Sequence, residues 1–471
     1  MVFNEPQIKN FIDFSKNIFR HTIKINYHEL YLIEYNSKSN NKIKFPSVIN
    51  SFLTNYVLDS DDIDFITLSE RSKKKLNVII YRKKYYQDVL VKLGSIVASK
   101  LKTGNWKLYS NLKGKDEFNF ALGWGLHQYK FNNLKDFSKL KLSNNINYDK
   151  LISFLSSIFY GKELINIPSS DMGPDAFEKS FINFSKYNNL KFKVYKDRII
   201  KDNFPLIHAV GKASLQKPRL LELDYNKNSK YPLIILVGKG VCFDTGGLNL
   251  KSAQFMRNMK KDMGGAASVL SLANIILKSN ININFKVLIP TVDNDIGSGS
   301  MRPGDVYNSK AGIKVEIGNT DAEGRLILAD ALTYADSFQP KLLIDFATLT
   351  GAARVALGPD LPAYFTESDE LASIINLISI KEEDPLWRMP LWKDYDSWLK
   401  SDVADTSNIS NGPFAGSITA ALFLSKFVIK TKNWIHIDTY AWSDKHVPGH
   451  SAGGDILGVR SIFKMIKEFI K

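Results

Sequence analysis

The stretch Leu233-Ile234-Ile235-Leu236-Val237 is an unbroken apolar run that leads directly into Gly238-Lys239-Gly240. Such runs are typical of strands buried on both faces, which occur in parallel sheets covered by helices. On both sides of this stretch, strand-like runs alternate with helical ones. The strands are predicted over Phe285–Thr291, Lys341–Ala347 and Trp434–Tyr440, and the helices over Gly265–Lys278, Ala322–Phe338, Ile418–Lys430 and Ile456–Ile470. This alternation predicts an α/β fold with a mostly parallel or mixed sheet that is covered by helices on both faces.

The earlier part of the chain predicts a second, smaller α/β domain. Val78–Tyr81 is strand-like, Tyr86–Ser99 is helical, and residues 133–147 are polar and rich in Asn and Lys, as an exposed connection would be. Tyr148–Tyr160 then has the pattern of an amphipathic helix. We predict an N-terminal α/β domain over residues 1–147, a linker helix over 148–165 and a C-terminal domain over 166–471.

Composition indicates a soluble protein of the cytoplasm. The chain has 471 residues, 44% of them hydrophobic and 24% charged, which is ordinary for a globular protein. No apolar run approaches the roughly 18–20 residues of a membrane span, and the first residues lack the basic and apolar regions of a secretion signal. The single cysteine, Cys242, fits a reducing compartment and is expected to be a small buried residue. We therefore expect no membrane association.

A net charge of +15 raises the question of a nucleic-acid partner. The alternative is a chain enriched in Lys, Asn and Ile throughout, as an AT-biased coding sequence would produce. The densest basic cluster, residues 71–75 with 82–84, is short and belongs to no nucleic-acid-binding motif. We favour the second explanation, so that a nucleic acid is considered as a partner but not preferred.

The acidic stretch Asn319–Leu326 carries the strongest signal of chemistry. Asp321 and Glu323 are two residues apart, so that in an extended or turn segment both can project to one side. Asp244 and Asp262 lie in a second glycine-rich segment. Four clustered carboxylates would repel one another unless cations lay between them, which predicts a two-metal hydrolytic site.

Several of these residues directly follow strand-like runs. They are Lys239, Asp293, Asp321 and Thr348. Because sites in parallel sheets form at the carboxyl ends of the strands, we expect one pocket to collect them.

Three basic residues accompany the carboxylates. Lys239 beside a dication would lose its proton and could bind the metal as an amine. Lys251 could stay charged and polarise a scissile carbonyl, and Arg325, which keeps its proton, could hold a small oxyanion through two N–H groups. Each motif alone has a structural explanation: Asp321 could cap a helix, and Gly238-Lys239-Gly240 resembles phosphate-binding turns, although it lacks the ending of a Walker A loop.

Taken together, these residues resemble the leucyl aminopeptidase family of cytosolic two-metal aminopeptidases. The resemblance is carried by Val237–Gly247, Lys251, Lys261–Ala267, Asn319–Leu326 and Ala347–Ala352. It covers residues 160–471 well and residues 1–120 in layout only. It implies that the C-terminal domain is a catalytic metallopeptidase domain.

The resemblance also implies a role for each residue. Asp244, Asp321 and Glu323 would hold one divalent ion, Mn²⁺ or Zn²⁺, and Lys239, Asp244, Asp262 and Glu323 the other. Lys251 and Arg325 would be catalytic, with bicarbonate bound at Arg325. Met259, Thr348 and Gly351 would line the pocket for the first side chain, and Leu349 would offer its main-chain carbonyl. The implied reaction releases an apolar N-terminal residue from a peptide substrate through a metal-bridging hydroxide.

Two features set limits on this resemblance. The segment Asp438–Asp444 contains Tyr440 and Trp442, where small residues are usual in the family, so the pocket for the first side chain is expected to be narrower. The first domain is short and divergent. The resemblance implies a homohexamer, and the alternative function is a nucleic-acid-binding regulator on the same fold.

Overall fold

The computed structural model describes residues 6–19, 27–34, 45–54, 63–69, 75–81, 90–142 and 146–471. In these ranges the α-helices are Ile8–Phe19 (α1), Ser47–Thr54 (α2), Leu90–Lys100 (α3), Lys115–His127 (α4), Tyr148–Asn166 (α5), Pro174–Tyr187 (α6), Asp197–Asn203 (α7), Pro205–Gly211 (α8), Ala253–Met256 (α9), Gly264–Lys278 (α10), Glu323–Asp336 (α11), Gly351–Leu357 (α12), Asp369–Lys381 (α13), Gly416–Ser425 (α14) and Val459–Phe469 (α15). Met259–Met263 and Lys393–Leu399 form 3-10 helices.

The strands of the same ranges alternate with these helices along the chain. They are His28–Glu34 (β1), Ile63–Ser69 (β2), Lys75–Tyr81 (β3), Asn105–Ser110 (β4), Lys139–Lys141 (β5), Lys191–Tyr195 (β6), Arg219–Tyr225 (β7), Leu233–Gly238 (β8), Gly240–Asp244 (β9), Asn284–Asn294 (β10), Val306–Asn308 (β11), Lys314–Glu316 (β12), Leu342–Ala347 (β13), Ala363–Phe365 (β14), Trp387–Arg388 (β15), Thr406–Ser407 (β16), Trp434–Asp438 (β17), Trp442–Ser443 (β18) and Gly453–Gly454 (β19).

The chain folds into two compact units. The smaller unit contains Asn10–Ser156 and His446–Ser451. Its described residues form a five-stranded sheet in the order β2-β3-β1-β4-β5, in which β2 is antiparallel to β3 and the other pairs are parallel. A core that includes Tyr31, Ile33, Val78 and Ile80 lies on this sheet. This unit is therefore a small mixed α/β structure.

The larger unit consists mainly of Ser157–Lys445 and Ala452–Lys471. Within residues 146–471, all of which are described, its main sheet has nine strands in the order β15-β14-β17-β13-β8-β10-β7-β6, with β9 pairing with β10. The central strands β17, β13, β8 and β10 are parallel. β7 is antiparallel to β10, β6 to β7 and β14 to β17, whereas β15 is parallel to β14. The predicted mixed α/β fold with a mainly parallel centre is confirmed.

Helices cover both faces of this sheet, as the side chains of β8 show. Ile235 and Val237 belong to a core cluster with Leu326 to Leu332 of α11. On the opposite face, a Cβ added to Gly238 would lie 2.6 Å from Val269 Cγ2 of α10. Because neighbouring residues of a strand point to opposite faces, α10 and α11 lie on opposite sides of β8. This double coverage explains why the sequence of β8 is apolar without alternation.

Most predicted elements agree with the structure, and the differences have local causes. The polar segment 133–147, predicted as an exposed connection, contains β5, and its residues 143–145 lie outside the described residues. The helix predicted over Ile418–Lys430 ends at Ser425. Beyond it the Asp336 carboxylate accepts the N–H groups of Ile429, Lys430 and Thr431, so side-chain bonds replace the helical ones there.

Four other predictions concern the first part of the chain and the helix at its end. The helix predicted from Tyr148 runs on to Asn166, so the division between the two units falls inside α5. The domain boundaries at residues 147 and 165 stay predictions. The basic cluster at residues 71–75 and 82–84 lies outside the described residues apart from Lys75, and so do the first four residues of the helix predicted over Tyr86–Ser99.

Membrane-spanning character is absent from the helices that the structure describes. None of them combines the length and the apolar character that a bilayer crossing requires.

Candidate active site

A cavity of about 670 Å³ opens in the larger unit. Lys239 enters it directly after β8, Asp244 from the end of β9, and Thr348 directly after β13. Ten predicted site residues line the cavity: Lys239, Asp244, Lys251, Met259, Asp262, Asp321, Arg325, Thr348, Leu349 and Gly351. Glu323, the first residue of α11, is only 1% exposed and lies against Lys239. The structure therefore brings these eleven residues together at the carboxyl ends of parallel strands, whereas Asp293, which was expected in the same pocket, does not line the cavity. The roles of the eleven remain predictions.

Lys239 lies between two carboxylates. Its Nζ is 2.8 Å from Asp262 Oδ2 and 2.9 Å from Glu323 Oε1, and it donates a hydrogen bond to the main-chain oxygen of Thr348 at 3.0 Å. Burial alone would lower the pKa of Lys239, but the negative charges of Asp262, Glu323 and Asp244 raise it. Thr348 Oγ1 also donates to Asp262 Oδ1 at 2.7 Å, which fixes the orientation of that carboxylate.

Lys251 lies between the other two carboxylates. Its Nζ is 2.8 Å from Asp244 Oδ2 and also forms an ion pair with Asp321 Oδ1. The second oxygen of Asp244 accepts hydrogen bonds from Asn294 Nδ2 at 2.8 Å and from the main-chain N–H of Gly246 at 2.9 Å. Asp244 is therefore held from one side by neutral donors and presents its other oxygen to the cavity.

The carboxylates satisfy several criteria for a cation site. One oxygen from each of Asp244, Asp262 and Glu323 lies within 4.8 Å of the others. The buried oxygens Asp262 Oδ2, Asp321 Oδ1 and Glu323 Oε1 accept no hydrogen bond of good geometry among the described residues, although a lysine ammonium is at ion-pair distance from each. Hard oxygen donors with free lone pairs are the ligands that divalent cations prefer. The residues present therefore fit a divalent cation.

The pKa values of the carboxyl groups show how strongly they repel each other. Burial, together with the charge of Asp244, raises the pKa of Glu323 to about 8. Burial and the charge of Asp244 also raise the pKa of Asp321 to about 6. For Asp262, by contrast, burial is outweighed by Lys239 and Lys261, and its pKa is lowered. Without added positive charge, Glu323 is thus mainly protonated near neutrality, whereas Asp321 loses its proton only as the pH rises through about 6.

Arg325 lines the same cavity. It is 8% exposed, and its Nη1 donates to the main-chain oxygen of Asn408 at 2.6 Å. Burial lowers the pKa of Arg325 to about 10, despite the nearby charges of Glu323 and Asp438, so it remains a cation at neutral pH. A guanidinium has five N–H donors, and its planar edge suits a small oxyanion.

Asp438, at the end of β17, organises the loop after β13. Its Oδ1 accepts the N–H groups of Leu349 and Thr350 at 3.0 and 3.2 Å, and its Oδ2 accepts Thr350 Oγ1 at 2.6 Å. Thr350 in turn caps α12, since its Oγ1 accepts the N–H of Ala353. These bonds fix the main chain of Leu349 and Gly351 at the cavity wall.

Three residues that organise the site, Asn294, Asn408 and Asp438, were not predicted as site residues from the sequence. Asn294, and not the predicted Asp293, faces the acidic cluster, and Asp293 Oδ2 instead accepts a hydrogen bond from Ser214 Oγ. The alternation of β10 could have indicated this, because Asn294 pairs with Asp244 in the ladder. Asn408 and Asp438 had no local signal, since their partners lie more than 80 residues away.

One wall of the cavity is cationic and aromatic. Lys261 Nζ lies 4.7 Å from the centroid of the Tyr440 ring, and Arg354 Cζ lies 4.6 Å from the same centroid. Burial lowers the pKa of Lys261 to about 8. Tyr440 thus takes part in the cavity wall, whereas Trp442 is not among the lining residues; the narrowing of the pocket stays a prediction.

Comparison with known proteins agrees with this site. The model of the cytosol aminopeptidase family catalytic domain matches residues 159–463. A probable cytosol aminopeptidase of Chlorobium phaeobacteroides is 40% identical over 313 residues, which are 65% of this chain and 62% of that protein. A probable cytosol aminopeptidase of Rickettsia canadensis is 38% identical over 371 residues, 74% of each chain.

A solved structure agrees over nearly the whole chain. The crystal structure of cytosol aminopeptidase from Coxiella burnetii has a TM-score of 0.86 and 35% sequence identity, and covers 97% of this chain and 100% of its own. The sequence match to the Chlorobium relative, in contrast, spans less than two thirds of that protein's length. Because the family model covers well over half of these residues, and the acidic cluster lies inside the matched part, the chain belongs to the cytosol aminopeptidase family.

Proposed function

We propose that this protein is a metal-dependent aminopeptidase that releases the N-terminal residue of peptides. The observation that carries this proposal is the convergence of four carboxylates, from two separate segments, on one buried cavity. Two lysine ammonium groups lie between these carboxylates. Divalent cations bound there would likewise neutralise the negative charges of the carboxylates. The family supports the same chemistry.

The proposed ligands follow from the resemblance and are compatible with the geometry. Asp244, Asp321 and Glu323 would hold one ion, and Lys239, as a neutral amine, would join Asp244, Asp262 and Glu323 around the other. Bound Mn²⁺ or Zn²⁺ would supply an activated water and positive charge for a developing oxyanion. Because Asp244 and Glu323 belong to both sets, they would fix the spacing of the pair.

The remaining side chains would bind and orient the substrate. Asp262 lines the cavity and would attract the free α-ammonium group of a peptide, which explains a preference for the chain end. Lys251, 13% exposed at its side chain, would stabilise negative charge on the carbonyl oxygen. Arg325 would hold a bicarbonate through its N–H groups, and the main-chain oxygen of Leu349 would accept a substrate N–H.

The proposal is tested with Asp321→Asn and Glu323→Gln, which keep the size of each side chain but remove its charge. We expect each variant to lose hydrolysis of aminoacyl anilides, assayed with Mn²⁺ or Zn²⁺, by more than about 100-fold, because even supporting residues of metal sites contribute about 10–100-fold. Metal content measured by mass spectrometry should fall in parallel. Glu370→Gln, at an exposed position of α13, is the matched control and should keep full activity.

Full activity in both variants would contradict the proposed site. The alternative, a nucleic-acid-binding regulator, predicts DNA retention that weakens with salt and no peptidase activity in the unmodified protein. The homohexamer that the resemblance implies also stays a prediction.

A further inference from the structure

The cationic wall of the cavity is the feature with no role in the proposed chemistry. Lys261, Arg354 and Tyr440, which we call the cationic wall, come from three separate places in the chain: the 3-10 helix Met259–Met263, α12 and the segment after β17. All three line the cavity. Both cations lie within 4.7 Å of the centre of one tyrosine ring.

Neither cation of this wall has an acidic partner among the residues that the structure describes. Lys261 is only 6% exposed, yet no carboxylate within ion-pair distance of its ammonium is found in the described ranges. The adjacent carboxylate, Asp262, is held by Lys239 and Thr348. A buried cation without a counter-ion is costly, and contact with an aromatic ring offsets only part of that cost.

The other lysines of the cavity are in a different situation. Lys239 contacts Asp262 and Glu323, and Lys251 contacts Asp244 and Asp321. The four carboxylates thus form their ion pairs with these two lysines. The charge of Asp262 acts on Lys261 without an ion pair, so the positive charge of the wall is only partly compensated among the described residues. An anion bound in the cavity would compensate it.

The position of the wall indicates which part of a substrate would meet it. Lys261 directly precedes Asp262, the proposed partner of the peptide's α-ammonium group. The segment of Tyr440 also packs beside Thr348, since a Cβ on Gly264 would lie 2.3 Å from Ala441 Cβ and 3.1 Å from Thr348 Cγ2. In an amino acid the amine and the side chain leave the same carbon. Because Asp262 and the wall line the same cavity and the charges of Asp262 and Lys261 act on each other, a side chain that leaves an amine held at Asp262 can reach the wall.

We propose that the preferred substrates are peptides with an acidic first residue, glutamate or aspartate, whose side-chain carboxylate binds between Lys261 and Arg354. Tyr440 holds the two cations apart and limits the room for large apolar side chains. This inference rests on the proposed aminopeptidase function, and it replaces the apolar preference that the family resemblance implies.

The test compares glutamyl, glutaminyl and leucyl anilides, which have no C-terminal carboxylate. Glutamine matches glutamate in shape but lacks its charge. We expect kcat/KM of the unmodified, Mn²⁺-loaded protein to be roughly tenfold or more higher for the glutamyl than for the glutaminyl substrate, because a site built for one polar group rejects its analogue. Lys261→Met should reduce this ratio at least about tenfold, and Arg354→Gln should reduce it in the same direction.

The matched control is Lys260→Met, the same substitution one residue away. Lys260 does not contribute to the cavity lining; its Nζ donates to the main-chain oxygen of Asn166 and lies over the Trp442 ring. This variant should keep the glutamyl-to-glutaminyl ratio of the unmodified protein. Melting temperatures of all three variants identify any that fail to fold, and Arg354, which is only partly buried, provides a second variant if Lys261→Met is unstable.

The outcomes separate this inference from the proposed function. If no anilide is cleaved by the unmodified protein, the aminopeptidase proposal fails. If leucyl or glutaminyl anilides are cleaved as fast as glutamyl anilide, or if both variants keep the original ratio, the acidic preference is wrong. A second comparison uses dipeptides and their C-terminal amides. If the dipeptides are preferred and a glutamyl first residue is not, the cationic wall binds the C-terminal carboxylate of the substrate and the inferred acidic preference is wrong.

Discussion

Glu323 shows how far this site departs from ordinary carboxylate chemistry. It is 1% exposed and shares the ammonium of Lys239 with Asp262. Burial and the charge of Asp244 raise its pKa from the usual 4.5 to about 8, even though Lys239 acts in the opposite direction. A carboxyl group in this condition is ready to exchange its proton for a cation.

This perturbed carboxyl group predicts a pH dependence of stability in the metal-free protein. Between pH 4.5 and about 8 the folded state keeps a proton on Glu323 that the unfolded state has lost. Stability should therefore fall as the pH rises through this range, because the folded state binds more protons. We expect the melting temperature, measured in a chelator, to decrease from pH 5 to pH 8, and Glu323→Gln to remove much of that decrease.

Other groups contribute to the same slope and must be separated. Asp330 is buried outside the cavity lining, and burial raises its pKa to about 7. This carboxyl group therefore also makes the stability of the folded state fall as the pH rises. Only the difference between the unmodified protein and Glu323→Gln reports on Glu323. Parallel curves for the two proteins would show that this carboxyl group is ionised in the fold.

Residue identity was predictable where the signal is local. Asp321 and Glu323 were found from their spacing, and Lys239 from its position after an apolar run. The roles of Asn408 and Asp438 could not be predicted, because they arise from hydrogen bonds to segments more than 80 residues away. The charge balance that distinguishes Lys261 from Lys239 also depends on which carboxylates lie nearby, and a single sequence does not contain that information.

At the level of elements, the site depends on close contacts between helices and strands. A Cβ on Gly265 of α10 would lie 2.1 Å from the main-chain oxygen of Phe346 in β13, so this helix and strand touch through their backbones. At the start of α11, the backbone of Gly324 lies similarly close to the side chain of Lys239. The sequence pattern predicted the ends of α10 and β8 to within one residue, but it could not show these close contacts between elements.

The contact between α11 and Lys239 leads to a prediction. A Cβ on Gly324 would lie 2.5 Å from Lys239 Cε and 2.6 Å from its Nζ. Because the end of a lysine is flexible, Gly324→Ala should displace the amine from Glu323 without unfolding the helix, in which alanine is the better former by about 1 kcal/mol. We expect metal-dependent hydrolysis to fall at least about tenfold, with little loss of melting temperature.

Gly299→Ala is the matched control for this substitution. The nearest atom to its added Cβ is the main-chain oxygen of Lys212 at 3.7 Å, an ordinary contact outside the cavity lining. This variant should behave like the unmodified protein. If Gly324→Ala is equally active, the position of Lys239 is unimportant for the site.

At the scale of the whole molecule, the predicted class of fold is confirmed, whereas the predicted domain boundaries stay predictions. The apolar run of β8 and the alternation of elements predicted a helix-covered mixed sheet, because these signals depend on burial that every strand experiences. A sequence pattern gives no sign of the division between the two units, because the continuous helix α5 contains residues of both. The charge of +15 gave no indication of the clustered carboxylates, because a sum over the chain does not show where its acidic residues lie.

The same cluster of carboxylates predicts how the folded molecule responds to metal. Ions that bind the folded state alone stabilise it by about 2.7 kcal/mol per site at one hundred times the dissociation constant. We expect Mn²⁺ to raise the melting temperature of the unmodified protein by several degrees in a concentration-dependent manner. Asp321→Asn and Glu323→Gln should show a smaller rise, since each removes a proposed ligand. Potassium chloride at equal ionic strength is the control, because simple screening of the +15 charge would raise stability in all three proteins alike. An equal response to Mn²⁺ in the variants would place the stabilising ions elsewhere on the molecule.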